Sequence, residues 1–167
     1  MFRFLLVILL CISACDYSSN GANTQAIQPL SEGNVSTGVV QTFTSEFMDL
    51  INQHRIDIGL RPLLLDEAVS HLATQHSLDM ATGAVAFGHL GFSERCLEAK
   101  NLLGGGNLCA ENVAMGQKSP SAAFTSWMNS PGHRANIEQS RVTQTGFGFA
   151  QSSNGVYYWT QIFIELN

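Results

Sequence analysis

Residues 109–137 read CAENVAMGQKSPSAAFTSWMNSPGHRANI, and the character of the whole chain can be worked outward from them. A carboxylate stands beside an amide at Glu111–Asn112, and His133 follows on a Pro-Gly turn. Between them Ser119-Pro120 has the N-cap and first-turn arrangement of a helix start, which turns Phe124, Trp127 and Met128 inward. Ser130-Pro131 repeats that start just before His133. Upstream, His89 lies between glycines in F-G-H-L-G-F. Groups able to handle protons or a metal thus fall in breaks between helices, where loops on a rigid scaffold carry function.

Before this stretch the pattern is helical. Phe43, Phe47, Leu50, Ile51, His54 and Ile58 follow the spacing of one helical face, with Thr42 or Thr44 as N-cap and Gly59 and Pro62 at the end. A second helix is predicted over Asp66–Thr82, capped by Asp66 and stopped by Gly83. Its buried stripe is Val69, Leu72, Ala73, His76 and Met80. His76 on that stripe reads as a core histidine with a local hydrogen bond, and His54 and His71 as surface or boundary residues. A short helix is expected over Ser93–Lys100. Gly104-Gly105-Gly106 then reads as a flexible linker, since no Gly-Lys-Ser/Thr follows to make a phosphate loop.

After the stretch the period changes to two. Thr145–Ala150 and Val156–Ile164 are β-rich runs joined by a loop ending Asn154-Gly155, a hairpin signal. Helices first and a hairpin last imply an α+β layered domain, helices packed on an antiparallel sheet.

The chain has 167 residues, enough for one domain with a sizeable core. With 13% charged residues and no basic run, nucleic acid is excluded as an expected partner. The formal charge of −5 becomes −6 if Arg3 is removed with a leader. Residues 1–14 have the form of that leader: Arg3, the apolar run Phe4–Ile12, then Ser13-Ala14 before Cys15. Small residues ahead of a cysteine resemble a lipobox, which would leave Cys15 acylated at the new N-terminus; an ordinary secretory signal is the alternative. Residues 15–41 are polar and aperiodic and read as a flexible tether from lipidated Cys15, with the folded domain at 42–167. Anchoring would be through the lipid alone, on the extracytoplasmic side of a bacterial membrane. Cys96 and Cys109 remain in the exported part, where a disulfide persists; two free thiols or a metal pair are the other readings.

In order along the chain stand N-x-x-R at Asn52–Arg55, G-L-R-P-L at Gly59–Leu63, H-S-L-D-M at His76–Met80 and G-H at Gly88–His89. C-A-E-N-V-A at Cys109–Ala114, W-M-N-S-P-G-H-R-A-N-I at Trp127–Ile137, and G-F-G-F-A with Y-W-T-Q-I-F complete the series. Together they resemble the CAP superfamily (the SCP, Tpx and pathogenesis-related class) in its short bacterial form, over residues 43–163. The resemblance implies a three-layer α-β-α sandwich with a small antiparallel sheet between helices. It also implies a cleft lined by His89, Glu111 and His133. The second acidic residue of eukaryotic members has no counterpart, because Ser119–Gly132 contains neither Asp nor Glu.

Two imidazoles can hold zinc or another divalent metal, and a neighbouring Glu111 could ligate it or activate water. There is no H-E-x-x-H and no G-x-S-x-G nucleophile. The resemblance therefore implies a monomeric, non-enzymatic binding module of the cell envelope, its ligand a small molecule, lipid or envelope component. A metal-dependent hydrolase of peptides or envelope polymers, using Glu111, is the alternative.

Overall fold

The structure is a computed structural model and describes residues 36–166. The leader, Cys15 and the tether up to residue 35 lie outside the described residues. The described elements are α1 (Thr37–Asp57), β1 (Leu64–Leu65), α2 (Glu67–Thr82), α3 (Phe92–Leu102), β2 (Cys109–Met115), α4 (Pro120–Met128), α5 (Pro131–Ile137), β3 (Gln144–Gln151) and β4 (Tyr157–Ile164). The strands form one sheet in the order β1-β3-β4-β2. Two hydrophobic clusters lie on its two faces. One joins Phe47 and Ile51 of α1, Trp127 of α4 and Ile137 of α5 to Phe147, Phe149, Trp159 and Phe163. The other joins Val69, Leu72 and Ala73 of α2 and Ala99 of α3 to Ile162 and Ile164. This is the expected α-β-α sandwich.

The alternation G-F-G-F explains how both faces are packed at once. Phe147 stacks on Phe47 of α1 with ring centroids 4.0 Å apart. On the opposite face Gly146 and Gly148 let α2 lie directly on the strand backbone. A Cβ at Gly146 would meet the Val69 carbonyl carbon at 2.3 Å, and one at Gly148 the Thr74 amide nitrogen at 2.2 Å. The glycines are therefore a packing requirement.

Four expectations are corrected. Helix α1 begins at Thr37, so residues 37–41, expected to close the tether, are its first turn; Val40 extends the apolar stripe by packing against the core. The sheet is mixed, because β1 pairs parallel with β3; two residues are too few to show a period in sequence. Ile58 is exposed, and Met48 and Arg55 take the buried places on α1. Last, the triple glycine is not a free linker: Gly106, at φ 148°, backs onto the chain after β4, where a Cβ would meet the Glu165 carbonyl oxygen at 2.8 Å.

Arg55 shows what the N-x-x-R pattern is for. Its buried guanidinium donates to the carbonyls of Arg61 at 2.8 Å, Ile137 at 2.5 Å and Gln139 at 3.1 Å, fastening the chain after α5 to α1. Asn52 grips the Leu63 peptide, its Nδ2 donating to the carbonyl at 3.0 Å and its Oδ1 accepting from the N–H at 2.7 Å. Asp66 and Ser119 cap α2 and α4 as expected, accepting from Val69 N–H and Ala122 N–H.

Candidate functional site

Successive residues of a strand face opposite sides, and β2 uses this to serve both layers at the sheet edge. Glu111 pairs with Ile162 and faces the α2–α3 side; Asn112, opposite Gln161, faces the other. Asn112 Nδ2 donates to the His133 carbonyl at 3.0 Å. Asn136, one turn on from His133 in α5, donates to Asn112 Oδ1 at 2.9 Å. These amides fix α5, and His133 with it, against the outer edge of β2.

On the Glu111 side the loop carrying His89 is held from beneath by His76. That ring is buried and donates from Nε2 to the Gly88 carbonyl at 2.8 Å, the local bond expected of a core histidine. Burial lowers the His76 pKa, a shift opposed by its bond to Gly88. His89 then donates from Nδ1 to Glu111 Oε1 at 2.9 Å. The Glu111 side chain is only 1% exposed, whereas that of His89 is 49% exposed, so the imidazole is the group a ligand meets.

Arg95 of α3 completes the cluster. Its Nε donates to Glu111 Oε2 and its Nη2 to Oε1, both at 2.9 Å, in the two-pronged geometry that suits a carboxylate. Its Nη1 donates to the Leu90 carbonyl at 2.7 Å, tying in the far end of the His89 loop. The Cys96–Cys109 disulfide joins α3 to β2 beside this pair, with Cα atoms 6.0 Å apart. Thus the disulfide expected from the cysteine count is present.

A cavity of about 360 Å3 opens over the cluster, lined by His89, Phe92, Cys109, Ala110, Glu111 and Asn136. The His133 pKa is lowered by burial and by the nearby His89, so the neutral imidazole is favoured there. His89 and Glu111 are in contact, and His133 is near enough to feel His89. Sequence reasoning missed Arg95 and Asn136. The signal for Arg95 was indirect: it precedes Cys96, whose partner Cys109 lies two residues from Glu111.

This donor set does not fit a catalytic zinc site. Such sites use three protein ligands, and both Glu111 oxygens are taken by Arg95. Among the described residues no group of three or more His, Cys, Asp or Glu stands together to hold a metal ion.

The family model for the cysteine-rich secretory protein family, CAP, matches residues 48–163. The chain belongs to the CAP family. The matched span runs from α1 to β4 and so contains the whole site. The CAP domain is 34% identical over 127 residues to YkwD of Bacillus subtilis, covering 75% of this chain and 48% of YkwD. With the B. subtilis membrane protein YlbC it shares 31% identity over 128 residues, covering 74% of this chain and 35% of YlbC. The chain thus spans half or less of the length of these relatives. Among solved structures, an extracellular SCP-domain protein of Bacillus anthracis superposes with a TM-score of 0.66 at 26% identity, covering 80% of this chain and 45% of that one.

Proposed function

We propose that this CAP domain is an extracytoplasmic binding module of the bacterial envelope, exported by residues 1–14 and anchored through acylated Cys15. Its ligand, a small molecule, lipid or envelope component, is met by the exposed imidazole of His89 in the cavity, with His133 nearby but outside the cavity lining. The observation that carries this reading is the occupancy of Glu111. A carboxylate already accepting three charge-assisted hydrogen bonds has little capacity left to take a proton from water. It acts as a rigid post that orients His89. The names of the relatives, a membrane protein and an extracellular protein, support the location.

Three experiments test this. Membrane fractionation should find the chain in the membrane fraction, and Cys15→Ser should release it or leave the precursor uncleaved; a soluble, unlipidated wild type ends the anchoring claim. Labelled Cys15→Ser chain, which carries no lipid of its own, should bind isolated envelopes and lose that binding when His89→Ala is added. Turnover of casein or peptidoglycan that disappears on chelation and with Glu111→Gln would replace the binding module by a hydrolase.

A further inference from the structure

The two edges of the sheet are treated differently. The β2 edge is covered by α5, with Asn136 Nδ2 donating to the Glu111 carbonyl at 3.4 Å. The β1 edge is closed only at Leu63, where Asn52 occupies both peptide groups. Leu64 and Asp66 donate to Thr143 and Thr145 carbonyls at 3.0 and 2.8 Å, so strand alternation turns the Leu65 N–H outward. It faces a groove of about 770 Å3 between α1 and α2, floored by Met48, Leu63 and Phe147. Leu64, 62% exposed, stands at its mouth. Native proteins cover, charge or shorten such edges; β1 is only two residues long, so what it offers another strand is the single outward Leu65 peptide.

The charge at this groove has one sign. Asp49 and Glu67 line it, His71 is its one basic side chain, no Lys or Arg lines it, and neither carboxylate takes part in a salt bridge among the described residues. Asp49 and Glu46 continue the acidic rim along the outer face of α1.

We propose that this groove docks an extended peptide carrying a bulky apolar residue beside Lys or Arg, added as a short strand at Leu65. The apolar side chain fills the floor, the peptide backbone meets the Leu65 N–H and carbonyl, and the cation meets Asp49 and Glu67. An acyl chain would fill the floor but leave the Leu65 peptide and both carboxylates unused. The groove lies apart from the His89 cavity, with no lining residue in common, so this inference stands independently of the proposed function.

The probe is the peptide acetyl-Lys-Leu-Val-Leu-Lys-amide, with acetyl-Glu-Leu-Val-Leu-Glu-amide as the charge-reversed control, titrated into isotope-labelled full chain by NMR. The basic peptide should shift the amides of Leu64, Leu65 and Thr74, and the control should bind at least about tenfold more weakly at low salt. The Asp49→Asn/Glu67→Gln double variant should lose about tenfold in affinity with an unchanged Tm. Leu65→Pro, which removes the outward N–H at an edge position where proline is tolerated, should also weaken binding. The proposal is overturned if the basic peptide shifts nothing at millimolar concentration, if the control or the double variant binds equally well, or if the shifts gather around His89. Two other occupants would also overturn it: dodecanoate displacing the peptide from the same amides, or a dimer through β1 that the peptide fails to dissociate.

Discussion

Arg95 holds both carboxylate oxygens of Glu111, Nε on Oε2 and Nη2 on Oε1, each at 2.9 Å. The carboxylate is almost fully buried, so the arginine is what makes its charge tolerable there. Removing one partner of such a pair costs far more than the pair contributes. Arg95→Ala should therefore destabilise the fold by about 3–5 kcal/mol, and Arg95→Met with Glu111→Gln should recover part of that loss. Urea denaturation of the single and double variants measures both.

Metal binding should follow the same contact. Wild-type chain is expected to bind zinc weakly, through the imidazoles of His89 and His133. Arg95→Gln, which releases Glu111 as a third donor, should tighten zinc by at least about tenfold. Calorimetry decides this, and equal affinities in the two chains would mean that Glu111 is no donor even when unpaired.

His76 and His133 both have pKa values lowered below the ordinary 6.5, each chiefly by burial. As pH falls, the unfolded chain takes up these protons before the folded chain does. Stability is then full above about pH 6.5 and drains away as pH falls through the lowered folded values. Urea midpoints between about pH 8 and pH 5 should show this decline, and His133→Gln should flatten it.

The glycine face of β3 gives a steric test. Gly148→Ala places a methyl 2.2 Å from a backbone nitrogen of α2 and should cost about 3 kcal/mol or more. Gly132→Ala meets nothing within 4 Å and should be neutral or slightly stabilising. Thermal melts of the two variants separate packing from chain entropy.

Much of this architecture was legible in the residues. Asp66, Ser119 and Asn154-Gly155 mark their caps and turn by local chemistry, which depends on neighbours only three or four positions away. The motif resemblance brought His89, Glu111 and His133 forward. What stayed hidden depends on distant partners. Arg55 stood in the sequence only as part of the N-x-x-R pattern, and three of the four carbonyls it serves lie 82 to 87 residues away. Arg95 fell within the short helix expected over Ser93–Lys100 and carried no role there. Strand β1 was invisible because its two leucines acquire strand character only from β3. The glycines of G-F-G-F were legible as a motif but not as a bed for α2.

The disulfide lies one residue from Arg95 and two from Glu111, so the clamp at the centre of the site is latched by a bond that reducing surroundings do not allow to persist. The chain thereby carries a record of its own provenance. Molecules that passed through an oxidising compartment have α3 fastened to β2. Molecules made and kept in a reducing cytoplasm hold Arg95 only by its hydrogen bonds to Glu111 and the Leu90 carbonyl, without that latch. Material from those two sources has the same folded domain and two degrees of finish at His89, and binding assays on it are comparable only when the thiols have been counted first.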